Sequence, residues 1–293
     1  MNIGEKIKKL RTAKLMTQSE LVGTEITRNM LSRIEHGAAT PSLETLCYIA
    51  SRLNVSPGFL LAEEGDEQVY YKHNEIVGIK KLYANGDFRL CREVCMESES
   101  AEDDEVQMIL GECNLSLAAE AFHRGSLRET CSYLDQAVEC CGRTIYRTDR
   151  IPAVAGVYFQ FMRRISATLS SNVMDEGDVN VCPALGDEFC RYAVAWEAED
   201  RGDGQTARRI LSFSRADSSY LLHTVARGMM EKGEYQGAYE KLHEILLGEE
   251  SVPEPVLYFV FCDLEVCCRE IRDFKGAYEY SIDKMELAQK LLA

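Results

Sequence analysis

Five short marks punctuate the chain from residue 86 onward: Gly86-Asp87-Phe88, Gly125-Ser126-Leu127, Gly202-Asp203-Gly204, Gly233-Glu234-Tyr235 and Arg272-Asp273-Phe274. They are spaced by 39, 77, 31 and 39 residues, and the interval of 77 amounts to two repeats. A period in the thirties is what stacked helical hairpins give, because one hairpin cannot bury its own apolar face and needs a neighbour. The spacing therefore predicts five or six hairpins over residues 69–292, with a degenerate one around residues 145–185. The fold class expected is all-α.

The best of these repeats runs from Tyr220 to Leu247. It places Leu222, Val225 and Ala226 on a first helix, then Gly233, Tyr235 and Ala238 through the turn, then Leu242 and Ile245 on a second helix. Small residues let the two helices approach, and the aromatic fills the turn. This segment resembles the tetratricopeptide consensus. In the weaker copies Cys91 and Thr130 stand where Ala238 does, and Arg272 replaces the glycine.

The first 62 residues read differently, as five short helices. Ile3, Ile7 and Leu10 share one stripe of a first helix, with Lys6, Lys8, Lys9 and Arg11 around its other faces. Thr17-Gln18-Ser19-Glu20 has the capping-box pattern. Thr27 can cap a third helix over Arg28–Glu35, stopped by His36-Gly37, with Met30, Leu31 and Ile34 inward and Arg28, Asn29, Ser32 and Arg33 outward. Thr40-Pro41 and Ser56-Pro57 read as two further starts, each a capping residue before a proline at the first helical position. The polar run Ala62-Glu63-Glu64-Gly65-Asp66-Glu67 reads as a linker. The expected division is thus 1–62, a linker at 63–68, and a helical repeat domain at 69–293.

The front segment resembles the lambda-repressor-like (XRE-type) helix-turn-helix family over about residues 3–61. The resemblance is carried by Ile7, Leu10-Arg11, Thr17-Gln18, Leu21, Leu31-Ser32-Arg33-Ile34-Glu35, Gly37, Pro41-Ser42, Thr45-Leu46, Ala50, Leu53 and Val55. One departure is that Leu21 to Glu35 is slightly shorter than usual, and Val22 stands where Ala is common. The resemblance implies that the third helix enters the major groove by its N-terminal turn, where all four base pairs can be told apart. Arg suits guanine and Asn suits adenine, so Gln18, Thr27, Arg28, Asn29 and Ser32 are the candidate base readers. Lys6, Lys9, Thr17, Arg33 and Thr40 are the candidate phosphate contacts, which position without specifying. It also implies an internal Arg11–Glu35 pair.

Charge divides along the same line. Residues 1–62 carry eight basic and five acidic side chains, a net +3, while the remainder carries 25 basic and 43 acidic, a net −18. Such asymmetry suits one part that meets a polyanion and another that avoids it. A front end of only +3 is a weak electrostatic footprint, so a homodimer on a palindromic operator, with half-sites roughly 34 Å apart, is expected. The terminal stripe Ile282, Met285, Leu287, Leu291 and Leu292 would serve as a contact surface or as ordinary packing.

The first residues begin an amphipathic pattern, and no run approaches the roughly 18 apolar residues that span a bilayer. The expectation is a cytoplasmic chain with no membrane partner. The twelve cysteines sit among Leu, Val and Ala and read as reduced core residues, with no metal-site spacing and no cofactor. The five histidines have no nucleophile or ligand partner at diagnostic spacing, and there is no phosphate-binding glycine loop, so an enzyme is not expected.

A helix-turn-helix joined to such repeats looks like the Rgg/PlcR-type peptide-responsive regulators of Gram-positive bacteria. That resemblance implies quorum sensing, with a short oligopeptide in the groove of the repeats. Matching the repeat pattern gives Lys80, Tyr83, Phe122, His123, Tyr192, Trp196, His223 and Arg227 as groove candidates, with Asn114 as a clamp for the peptide backbone. The rival reading is an interaction scaffold that docks a partner protein, its DNA contact secondary or lost.

Overall fold

The computed structural model describes residues 2–63, 67–170, 188–212, 214, 218–248 and 252–292. Five helices open the chain: α1 (Ile3–Ala13), α2 (Gln18–Val22), α3 (Arg28–Glu35), α4 (Leu43–Arg52) and α5 (Pro57–Leu61). Each starts at a polar cap whose side chain accepts a backbone N–H that the helix cannot satisfy: Asn2, Thr17, Thr27, Ser42 and Ser56. The capping box expected at Thr17 and Glu20 is formed, and Asn2 and Glu5 form a second. Ile7, Leu21, Leu31, Ile34, Leu46, Ile49, Leu53, Phe59 and Leu60 close one shared core.

Three readings of this segment are corrected. The fourth helix does not begin at Thr40-Pro41: Ser42 is its cap, accepting from the Thr45 N–H, and Pro41 lies before the helix. Met30 is exposed, because eight residues of helix give α3 an inward face of Leu31, Ile34 and Glu35. Lys6 is buried, at 2% exposure. Its ammonium donates to the carbonyl of Ala62, just past the C-terminal end of α5, and lies over the Phe59 ring. An ammonium suits a helix C-terminus, where carbonyls are left over.

The rest of the described chain is helical too, with no strand among the described residues. It comprises α6 (Glu67–Asn85), α7 (Phe88–Glu97), α8 (Asp104–His123), α9 (Leu127–Cys141), α10 (Arg150–Ser170), α11 (Glu188–Asp200), α12 (Gly204–Leu211), α13 (Ser219–Glu231), α14 (Tyr235–Leu247), α15 (Glu254–Glu270) and α16 (Phe274–Leu292). The five marks fall in the turns α6–α7, α8–α9, α11–α12, α13–α14 and α15–α16, so they define five hairpins. Of the degenerate hairpin expected around residues 145–185, α10 is seen, and residues 171–187 lie outside the described residues.

One piece of backbone chemistry recurs at the marks. At Gly233 the amide donates to Met230 and the Glu234 amide reaches back to Met229, the paired bonds of a Schellman ending. This needs a left-handed residue, and Gly233 has φ +78°. At the last turn the same two bonds run from Arg272 to Arg269 and from Asp273 to Cys268, and here Arg272 is held at φ +64°. Five residues after each mark stands a small or compact buried residue, Cys91, Thr130, Ala207, Ala238 or Ala277.

The chain divides into two compact units, Met1–Ile109 and Leu110–Ala293. In the first, Tyr70 of α6 sets its ring edge-on against Phe59 and touches Gly58, fastening α6 to the front helices. In the second, Phe122, Tyr158, Phe161, Phe189, Tyr192, Trp196 and Phe259 form a buried aromatic core, and Leu242, Val260 and Leu264 lie in another core between α13, α14 and α15. The stripe read on the last helix is split: Leu291 joins the core and Leu287 packs against it, while Ile282, Met285 and Leu292 are exposed beside Phe274 and Tyr278. Seven of the described cysteines are buried, and Cys47, on α4, is exposed. Burial pushes the Cys140 thiol up to about 11 and the Cys267 thiol to about 12, which keeps both protonated.

Candidate nucleic-acid interface

The turn between α2 and α3 brings two helix N-termini to one side of the front domain. Thr27 accepts from the Met30 N–H and fixes the first turn of α3, so Arg28 and Asn29 stand exposed at its entrance. Ser32, one turn on, is half-buried, and Arg33 is exposed. Thr17 is exposed at the start of α2, with its hydroxyl on the Glu20 N–H and its own N–H on the Glu20 carboxylate. Lys9 and Thr40 are exposed and Lys6 is not, so Lys6 is withdrawn from the phosphate contacts.

Behind this surface lies the internal pair of Arg11 and Glu35 that the helix-turn-helix resemblance implies. Glu35 is 4% exposed and accepts from Arg11 at both oxygens, 2.7 Å from Nε and 3.1 Å from the terminal nitrogen. One of those oxygens also accepts from Gln18 Nε2 at 2.8 Å. Burial pushes the Glu35 carboxyl up, but the hydrogen bonds from Arg11 and Gln18 outweigh it and hold it below the usual range. Gln18 Oε1 then faces Arg28, whose Nε approaches to 3.5 Å. Four side chains from three helices thus form one line from the core to the surface. The signal in the sequence was faint: a glutamate where the inward face of α3 calls for an apolar residue.

The nine groove candidates scatter. In the first unit Lys80 is exposed and paired with Glu105, and Tyr83 packs edge-on against Phe88. In the second unit Phe122, Tyr192, Trp196, His223 and Asn114 are corrected from groove lining to interior: all are 5% exposed or less. The aromatic rings bury too much apolar area to remain at a helix surface when a neighbouring helix can cover them. Asn114 bonds the Cys140 thiol instead. His123 and Arg227 are half-buried.

Four of these residues nonetheless meet. The Tyr192 hydroxyl is 2.7 Å from His223 Nδ1, and His223 Nε2 is 3.0 Å from Asp263. Arg227 lies 3.9 Å from the centre of the Trp196 ring, with Arg164 on the same indole at 5.0 Å, and Asp200 joins the two arginines. This network fastens α10, α11, α13 and α15. Among the described residues no group of three or more His, Cys, Asp or Glu could hold a metal, and no helix is long and apolar enough to cross a membrane.

Two short helices with capped N-termini, a tight turn between them and an exposed polar entrance to the second define a helix-turn-helix. Residues 7–60 match the family model described as helix-turn-helix. No curated protein matches the chain as a relative. Among solved structures, PlcR of Bacillus thuringiensis, in complex with the peptide PapR7 and DNA, is 12% identical, with 99% of this chain and 96% of that one covered at a TM-score of 0.29. The apo form of the competence regulator ComR from Streptococcus vestibularis is 20% identical, with 85% and 93% covered at 0.24. ComR from S. thermophilus, in complex with DNA and its signalling peptide ComS, is 19% identical, with 98% and 99% covered at 0.24.

Proposed function

We propose that this chain is a sequence-specific transcription regulator that reads duplex DNA with α3 and senses a short signalling peptide through its helical body. The observation that carries the DNA half is the entrance of α3: Arg28 and Asn29 exposed on a turn fixed by the Thr27 cap, with Gln18 beside them and Thr17, Lys9, Arg33 and Thr40 exposed as candidates for the flanking phosphates. Base edges are read from such a position, and phosphates from around it. Residues 1–62 form the reading domain in this account and residues 69–293 the sensing and dimerising one. A homodimer on a palindromic operator supplies the second set of contacts that a domain of +3 needs, and such a regulator works in the cytoplasm.

The peptide half is supported by the tetratricopeptide-like hairpins, whose stacks suit extended or helical peptides. It is also supported by the Trp196 indole N–H, buried with no acceptor among the described residues. A peptide carbonyl is the kind of group that would satisfy it, and Arg227, half-buried on the face of the same indole, is accessible enough to take part. The peptide acts by its different affinity for two arrangements of the reading domains, since equal affinity would shift nothing.

A gel-shift assay with DNA from upstream of the chain's own coding region tests the DNA half. Salt-sensitive binding is expected, and no binding at any concentration would defeat it. For the peptide half, a short reading frame beside the gene is translated, synthesised and titrated. A change in Trp196 fluorescence together with a change in DNA affinity is expected, and neither would leave only the scaffold reading.

A further inference from the structure

The geometry points to Glu35 as a specificity-determining positioning residue: its buried carboxylate fixes which end of the Gln18 amide faces Arg28 and thereby aims Arg28 at its base. This rests on the DNA-reading function proposed above and deepens it. Glu35 touches no base in this account. It acts through Gln18.

Donors and acceptors decide the orientation of the Gln18 amide. An ionised carboxylate only accepts, so the amide that bonds Glu35 must present Nε2 to it, at 2.8 Å. The Gln18 oxygen is then turned the other way, where Arg28 Nε meets it at 3.5 Å. A guanidinium has donors only and would be repelled by an amide NH2 in that place. Held at Nε by this oxygen, Arg28 keeps its two terminal nitrogens free for the O6 and N7 acceptors of a guanine, the pairing that makes arginine selective. Arg11 completes the device from behind: its guanidinium neutralises Glu35 through both oxygens and is itself pinned by donation to the Met16 carbonyl at 2.8 Å. The Glu35 carboxylate therefore serves the stability of the domain through Arg11 and the orientation of the reader through Gln18.

The experiment selects duplexes from a randomised library with the full-length chain, then measures the preference at each position of the selected site for the wild type, Glu35→Gln, Gln18→Met and the double variant. A neutral amide at 35 no longer dictates the orientation of Gln18, and methionine at 18 removes the acceptor while keeping the length. Each single change is expected to relax preference by about tenfold at one and the same base pair, the pair at which Arg28→Ala also relaxes it, within the range for one bidentate base contact. The double variant is expected to lose no more than either single one, since both break the same line. Arg11→Lys is the control: it keeps a cation against Glu35, lowers stability, and should leave the preference in place.

Preference that survives in Glu35→Gln and Gln18→Met overturns the inference while the DNA-reading function stands. So does a double variant that loses the product of the two single losses, or an Arg11→Lys variant that loses preference in step with its stability. A wild-type chain that enriches no sequence overturns the function itself and this inference with it.

Discussion

Arg272 offers a direct measure of what the recurring turn requires. The glycines at the other four marks lie between φ +75° and +81°, and Arg272 occupies the equivalent place at +64°. A side chain in this region crowds the following carbonyl and costs roughly 1–2 kcal/mol. The Arg272 side chain is exposed and makes no hydrogen bond or ion pair among the described residues, so nothing offsets that strain. Replacing it by glycine relieves the strain but returns about 0.4–1 kcal/mol of backbone freedom to the unfolded chain. The net expectation for Arg272→Gly is a gain of about 0.5–1 kcal/mol. Trp196 is the only tryptophan, is buried, and belongs to the same compact unit, so its fluorescence follows the unfolding of that unit in urea. With a slope of about 2–3 kcal/mol per molar, the midpoint should rise by about 0.2–0.5 M. Arg272→Ala should leave it nearly unchanged, because alanine keeps the strained dihedral. The reverse change tests the same logic. Gly233→Ala has open space for a Cβ and should cost about 1 kcal/mol from the backbone alone, whereas at Gly125 a Cβ would also collide with Glu254 and cost more. A midpoint that falls in Arg272→Gly, or rises as much in Arg272→Ala, would refute the reasoning.

Further outcomes follow from the front domain. Removing Arg11 as Arg11→Met leaves Glu35 buried without its cation and should destabilise the domain by about 3 kcal/mol or more, read as a lowered midpoint in the circular dichroism of the front domain. Because the folded carboxyl of Glu35 titrates below its ordinary value, its contribution is full above the glutamate range and is lost as pH falls through the lowered value. The stability gap between the wild type and Arg11→Met should therefore be full near neutral pH and narrow as pH falls through that lowered value, as read by thermal melts in a pH series. Lys6→Ala should lower thermal stability, since it strands the Ala62 carbonyl, and leave the salt dependence of DNA binding unchanged. Lys9→Ala should do the opposite, reducing the salt slope by about one with no effect on melting.

What could be read from the sequence was whatever the backbone demands locally. A left-handed turn calls for glycine, a helix start calls for Ser, Thr or Asp, and these demands show at Gly233, Gly37, Thr17 and Thr27 without knowledge of the neighbours. Side chains whose fate depends on distant partners were less legible. Lys6 has the spacing of a surface residue, and only the approach of the end of α5 from residue 62 buries it. Thr40-Pro41 carries a start signal as good as that of Ser56-Pro57, yet Ser42 stands two residues on and wins the cap. Phe122, Tyr192 and Trp196 sit at helix positions that face either a groove or a neighbouring helix, and periodicity cannot distinguish the two. The link from Glu35 to Gln18 spans 17 residues and three-dimensional contact alone reveals it.

Arg28 and Asn29 are expected to reach base edges while the rest of the domain merely holds the duplex. Fluorescence anisotropy with a labelled duplex selected by the wild-type chain, set against a scrambled duplex, measures this directly when repeated with Arg28→Ala/Asn29→Ala. The variant should keep its helical circular dichroism and melting temperature, bind both duplexes with the same salt-sensitive affinity, and lose the advantage of the selected one. A folded double variant that still prefers the selected duplex by the wild-type factor would contradict the account.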